Sequence, residues 1–286
     1  MTASEPISAG TLAEAFKHCA ALARKNARDQ WLGALYAPAG SRDALFALAC
    51  FDHEIRLARL RARDPNLAAL RLAWWREAAL GAGDPGAGGS PAALALRAAI
   101  AAFTLPGEAI EAMLDARLTE IAPPVDFTLA AFAIYAAESE GARLRLASRI
   151  AAGARDLDDA EASAPAGLAL GLARMLAGLS SGATLFPADV AKRHGATRAD
   201  FDAMRASAGV VAASAELRGL ARERLAEAER RLKASPPQIL PAFVPLATLR
   251  LDLDRLERNA QRPFEPPAEV SALRRQWAIW RWARKF

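Results

Sequence analysis

A chain of 286 residues with 53% hydrophobic side chains can bury a sizeable core and allows one large domain or two small ones. Its formal charge of +5 is spread along the sequence, and no basic run is interleaved with aromatics, which excludes the recognisable nucleic-acid-binding modules. Alanine and leucine dominate, β-branched residues are few, and no Val/Ile/Thr run alternates for long enough to make a strand, so an all-α single domain is expected.

Residues 1–10 read as a loose N-terminus. The start, Met1-Thr2-Ala3-Ser4-Glu5, lacks the basic region and apolar core of a signal peptide. Thr11–Asn26 reads as a helix with Leu12, Ala15, Phe16, Cys19 and Leu22 on one side. Pro38 and Gly40 break the chain, and Ser41 is suited to cap the next helix. That helix, 41–62, has apolar residues at 45, 48, 51, 55 and 57. Asp64-Pro65 interrupts it, and helix 66–81 carries Leu70, Trp74 and Trp75 on a stripe. After a Gly/Pro/Asp loop at 81–91, helices are expected at 91–103 and 106–121, with Pro123-Pro124 ending the second.

Phe127–Ile150 reads as one long helix with Glu138 and Gly141 in its middle. Asp156-Leu157-Asp158-Asp159-Ala160-Glu161 is acid-rich but lacks the glycine turn of a calcium loop, and reads as a solvated linker. Residues 166–181 form a helix of small residues. Between Ala162 and Ala188 there is no Asp or Glu. Residues 198–234 read as amphipathic helix with dense Arg/Glu pairing outside. Ser235-Pro236-Pro237 breaks it, the leucines of 246–256 are helically spaced, and a Pro-containing loop spans 259–268.

The tail from Ser271 holds Trp277, Trp280 and Trp282 among Arg274, Arg275, Arg281, Arg284 and Lys285. On a helix, Leu273, Trp277 and Trp280 share one face and Trp282 is turned away. Two readings stay open: an interfacial membrane contact or partner contact through Trp277, Trp280 and Arg281, or tryptophans packed back onto the domain. No 18-residue stretch is both apolar and uncharged, so no transmembrane helix is expected. Cys19 and Cys50 lack CxxC spacing and read as buried free thiols of a reducing, intracellular compartment. His18, His53 and His194 show no ligand spacing, and no Gly-rich phosphate loop, G-x-S-x-G elbow or HExxH occurs.

Several of these stretches, in order, resemble the squalene/phytoene synthase family. Phe46-Ala47-Leu48-Ala49-Cys50-Phe51-Asp52-His53-Glu54-Ile55-Arg56 followed by Leu70-Arg71-Leu72-Ala73-Trp74-Trp75-Arg76 is similar to its first motif region. Leu185-Phe186-Pro187 with Asp189 and Gly195 is similar to its second. The resemblance covers about 15–256 and implies an isoprenoid synthase-like helical bundle around a central cavity, over 11–258, with 259–286 as an extension. Phe51, Tyr135, Glu138 and Met175 are the cavity-lining candidates it implies.

The family's enzymes hold Mg²⁺ against a prenyl diphosphate with two aspartate-rich motifs. Here Arg56, Leu57 and Leu60 stand where the first set of acids would be. Asp52 and Glu54 are two apart and do not share a helix face. The second set falls in the acid-free stretch. No metal ligand and no catalytic residue is therefore assigned. Arg56, Arg59 and Arg76 are candidates for contacting a diphosphate or other anion, since guanidinium binds phosphate in bidentate fashion.

The acid-poor pattern is similar to a branch of this fold that includes a mitochondrial complex I assembly factor, whose first motif reads "ALRAFNxELAxVxD". That implies a non-catalytic protein acting in assembly of a respiratory membrane complex. Its partners would be a respiratory-complex subunit or assembly protein and a prenyl lipid, and its place the cytoplasm or the inner face of the cytoplasmic membrane. The alternative is a prenyl transferase condensing prenyl diphosphates. Mg²⁺ enters as a cofactor only on that second reading.

Overall fold

Every regular element described in the computed structural model is helical, as the Ala/Leu-rich composition requires. Residues 9–61, 64–81, 90–155, 160–182 and 185–284 are described. The acid-rich loop 156–159 and the first eight residues lie outside them. In chain order the α-helices are α1 Ala9–Asn26, α2 Arg28–Ala34, α3 Ala39–Arg61, α4 Pro65–Leu80, α5 Pro91–Phe103 and α6 Gly107–Ile121. They continue with α7 Leu129–Ala136, α8 Ala142–Ala151, α9 Ala160–Gly178, α10 Ala188–Arg193, α11 Arg198–Asp202 and α12 Ala208–Leu232. The last three are α13 Leu240–Phe243, α14 Leu246–Arg258 and α15 Ala272–Ala283.

The chain divides into two compact units, each assembled from three separated segments. The first takes 1–121, 142–159 and 236–244, and the second takes 122–141, 160–235 and 245–286.

In the first unit α3 is the central element. Leu45, Leu48, Phe51, Ile55 and Ala58 are buried on it, and α1, α5, α6 and α8 pack around it. Cys19 of α1 and Cys50 of α3 are both buried and free. Asp64 caps α4 by accepting the Asn66 N–H at 2.8 Å, with Pro65 at the first helical position, where a missing N–H costs nothing. Ser41 does not cap α3. That helix begins at Ala39, and the buried Ser41 hydroxyl instead donates to the Ile150 carbonyl of α8 at 2.8 Å. Gly33 allows α2 to approach α13, because a Cβ there would sit 2.8 Å from the Pro241 carbonyl oxygen.

In the second unit α9 and α12 form the most extensive helix pair. Pro165 lies inside α9 and has no N–H for the Glu161 carbonyl one turn back. That carbonyl accepts from Arg231 of α12 at 2.9 Å instead. Over Glu161–Ser181 the chain is long and apolar enough to cross a membrane, with one interior charge, Arg174. Two-thirds of that window is buried within the protein, as for a core helix.

Two expected helices are broken. The stretch 127–150 is α7, a π-helical turn at Ala137–Gly141, and α8. The stretch 198–234 is α11, which the Thr197/Asp200 capping box starts, and α12, which Ser207 caps; Met204, left-handed at φ 49°, lies in the break between them.

Candidate functional site

Asp52 lies one helical turn before the position of the first motif, and α3 carries it inward to complete burial. An isolated carboxylate there would be untenable, and four neighbours answer it. Gln30 of α2 donates from Nε2 to Oδ2 at 3.2 Å. Arg56, one turn along α3, places Nη2 3.1 Å from the same oxygen. Arg143 of α8 has Nε at 3.8 Å from Oδ2, and Arg117 of α6 has Nη2 at 3.8 Å from Oδ1. Arg117 also pairs with Glu120 on its own helix.

Among the described residues, three guanidiniums therefore face two carboxylates, an excess of positive charge at this cluster. Its electrostatic mark is on the arginines themselves. Burial lowers the proton affinity of both Arg56 and Arg143; Asp52 opposes this, and the charge of Arg117 adds to it. His53, the next residue of α3, is also lowered, first by burial and then by Arg56.

The donor set does not fit Mg²⁺. That ion requires hard oxygen ligands in near-octahedral array, whereas here Oδ2 of Asp52 accepts from the Gln30 amide and ion-pairs with Arg56 and Arg143, and Oδ1 ion-pairs with Arg117. Among the described residues, no group of three or more His, Cys, Asp or Glu side chains converges on a metal position.

The second unit holds a parallel arrangement. The π-helical turn inserts Glu138-Ser139-Glu140-Gly141, and the Ser139 hydroxyl donates back to the Tyr135 carbonyl at 2.7 Å. Glu140 is buried and ion-pairs with Arg174 of α9. Gly167 of α9 lies against this turn, and a Cβ there would be 2.8 Å from the Gly141 nitrogen. Arg174 is the only charged residue of the stretch Ala162–Ala188, where the family resemblance would place the second acid pair.

Of the three arginines singled out in sequence, two reach carboxylates, on different helices. Arg56 joins Asp52, Arg76 of α4 pairs with Asp115 of α6 near the surface, and Arg59 is half-buried a turn beyond Arg56. The four cavity-lining candidates divide as well. Phe51 is fully enclosed and meets Trp75 edge-on at 5.4 Å, a core position. Met175 is buried, and Tyr135 is half-buried against Phe132 at 5.6 Å. Glu138 faces solvent; the buried acid is Glu140, two residues on.

Asp52 was weighed in sequence only as a metal ligand and set aside, and Arg117, Arg143, Glu140 and Arg174 were not singled out by sequence reasoning. A signal existed for the last pair, since a lone arginine in an apolar helix must find an acid. For Arg117 and Arg143 there was none, because their partner is distant in sequence.

The squalene/phytoene synthase family profile matches residues 23–281. No curated protein matches the chain. Among solved structures, squalene synthase HpnC from Alicyclobacillus acidocaldarius is 22% identical over 90% of this chain and 98% of its own, with a TM-score of 0.72. YisP from Bacillus subtilis is 17% identical over 98% and 99%, at 0.70. A dehydrosqualene synthase in complex with ligand is 14% identical over 97% and 99%, at 0.78. At these identities the structures speak to the fold, which is the all-α isoprenoid synthase fold. The chain is a member of the squalene/phytoene synthase family.

Proposed function

We propose that this protein is a family member without metal-dependent prenyl transfer, acting in the assembly of a respiratory membrane complex. The observation that carries the first half is the enclosure of Asp52 by Arg56, Arg117 and Arg143. Ionising a prenyl diphosphate with Mg²⁺ needs carboxylate oxygens free to hold the metal while it neutralises the leaving group. Here the buried carboxylate of the motif helix, Asp52, is committed to guanidinium, and the acid-free stretch Ala162–Ala188 contributes only the cation Arg174. The second half is supported by the similarity of Ala47–Arg56 and of the acid-free second region to the complex I assembly branch.

Two experiments test the two halves. Incubation with farnesyl or geranylgeranyl diphosphate and Mg²⁺, followed by product analysis, should return the diphosphate unchanged. A condensed hydrocarbon product, lost on chelation, overturns the non-catalytic reading. Deletion of the gene should lower the amount of assembled complex I on native gels, with complementation by the wild-type chain. Unaltered complex I overturns the assembly reading.

A further inference from the structure

Helix α15 divides its tryptophans between two environments. Ile279 and Trp282 are buried, and Arg275 ion-pairs with Asp252 of α14, so one face is fastened to the second unit. The opposite face shows Leu273, Trp277 and Trp280, spaced four and three residues apart and hence in one stripe. Trp277 is 59% and Trp280 44% exposed, and their rings stack with centroids 4.9 Å apart. The Arg284 guanidinium lies over the Trp280 ring at 4.6 Å. Arg274 and Arg281 are exposed beside the stripe, and the helix contains no Asp or Glu.

Large apolar rings held in water are unfavourable unless something covers them. The charge around them says what does. Indole rings prefer the headgroup region of a bilayer, and guanidinium prefers its anionic phosphates. A second copy of the chain is a poor occupant, because a self-complementary contact would bring like-charged arginines together. The helix has 12 residues, about 18 Å at the usual rise, too short to cross a bilayer but suited to lying on one.

We propose that the outer face of α15 docks on an anionic bilayer surface, with Leu273, Trp277 and Trp280 seated at the headgroup boundary and Arg274, Arg281 and Arg284 on lipid phosphates. The inference stands independently of the assembly reading, since neither a client protein nor a prenyl ligand enters it.

The test is sedimentation of the full chain with vesicles of phosphatidylcholine alone and of phosphatidylcholine with phosphatidylglycerol. Wild type should bind the anionic vesicles and bind the neutral ones far more weakly. Arg274→Gln/Arg281→Gln/Arg284→Gln should lose roughly a hundredfold in partitioning onto anionic vesicles, at about fivefold for each cation near the surface. Trp277→Ser/Trp280→Ser should lose at least about tenfold. Both sets alter exposed side chains, so melting temperatures should stay close to wild type. Should the tryptophan variant fail to fold, the arginine variant decides. Wild type that does not bind, binds neutral vesicles equally, or is matched by both variants overturns the proposal. A concentration-dependent dimer that Trp277→Ser/Trp280→Ser dissociates, without vesicle binding, also overturns it by assigning the face to a second copy.

Discussion

Asp52→Asn is the sharpest perturbation of the buried cluster, because it keeps the shape of the side chain and removes its charge. The carboxylate meets guanidinium nitrogens at 3.1, 3.8 and 3.8 Å. At an effective dielectric of about 20, each contact is worth about 4–5 kcal/mol of gross attraction. Desolvation of the groups cancels most of that sum in the intact cluster. The variant keeps the desolvation and the mutual repulsion of the three arginines and loses the attraction. The expected net loss is about 3–5 kcal/mol, the usual cost of breaking a buried ion pair. For a chain of this size that lowers the melting temperature by roughly 10 °C. The assay is thermal and urea denaturation followed by circular dichroism. Arg143→Met should cost less than Asp52→Asn, since it leaves Arg56 and Arg117 balanced by Asp52 and Glu120. The double variant should be less destabilised than the sum of the singles by at least about 0.5 kcal/mol. Additive effects, or a shift under about 2 °C for Asp52→Asn, would refute the account of Asp52 as the anion that holds the cluster together.

Glu140→Ala should lower stability by about 1–3 kcal/mol in urea titrations, because it strips Arg174 of an enclosed acceptor while that arginine keeps partial access to water. Gly167→Ala should cost about 1–3 kcal/mol by the same measurement, since the added methyl would meet the backbone of Gly141, which cannot rotate aside. Asp200 is held down to about 2 from 3.8 by the Thr197 backbone N–H, then the Thr197 hydroxyl, then Arg205. Its folded pKa lies below the unfolded one, so its contribution is full above about pH 4 and is lost as pH falls towards 2. Acid unfolding of Asp200→Asn should therefore lack that component, and an unchanged acid limb would argue against it.

Local chemistry was legible in the sequence, and long-range pairing was not. Asp64-Pro65 announces a break because proline acts on its immediate neighbours, whereas the cap that Asp64 gives α4 emerged only in the structure. The helical stripe of Leu273, Trp277 and Trp280 was likewise readable, although which side of α15 would be buried depends on α14 and its Asp252. Ser41 misled because its hydroxyl serves a carbonyl on α8 rather than the start of its own helix. The π-helical turn at Ala137–Gly141 left no trace in periodicity, and the acid buried within it is Glu140 rather than Glu138. Arg117 and Arg143 resembled any surface arginine in an amphipathic helix, and only the packing of α6 and α8 on α3 brings them to Asp52.

The two regions where the family resemblance calls for acids are linked by a common physical logic. In each unit a buried carboxylate is gripped by arginine from a neighbouring helix: Asp52 by Arg117 of α6 and Arg143 of α8, Glu140 by Arg174 of α9. Such pairs contribute little net stability compared with apolar packing, but they penalise any slippage that would separate the charges inside the protein. A metal-dependent synthase needs its carboxylates available to take up and release Mg²⁺ and diphosphate in each turnover. Here the same part of α3 serves as a fastening between helices, and a guanidinium that left it to bind a diphosphate would abandon an enclosed aspartate. The cost of that exchange falls on every binding event, which weighs against Arg56 as a ligand for substrate. It favours a protein whose helices are held in fixed register to present a surface.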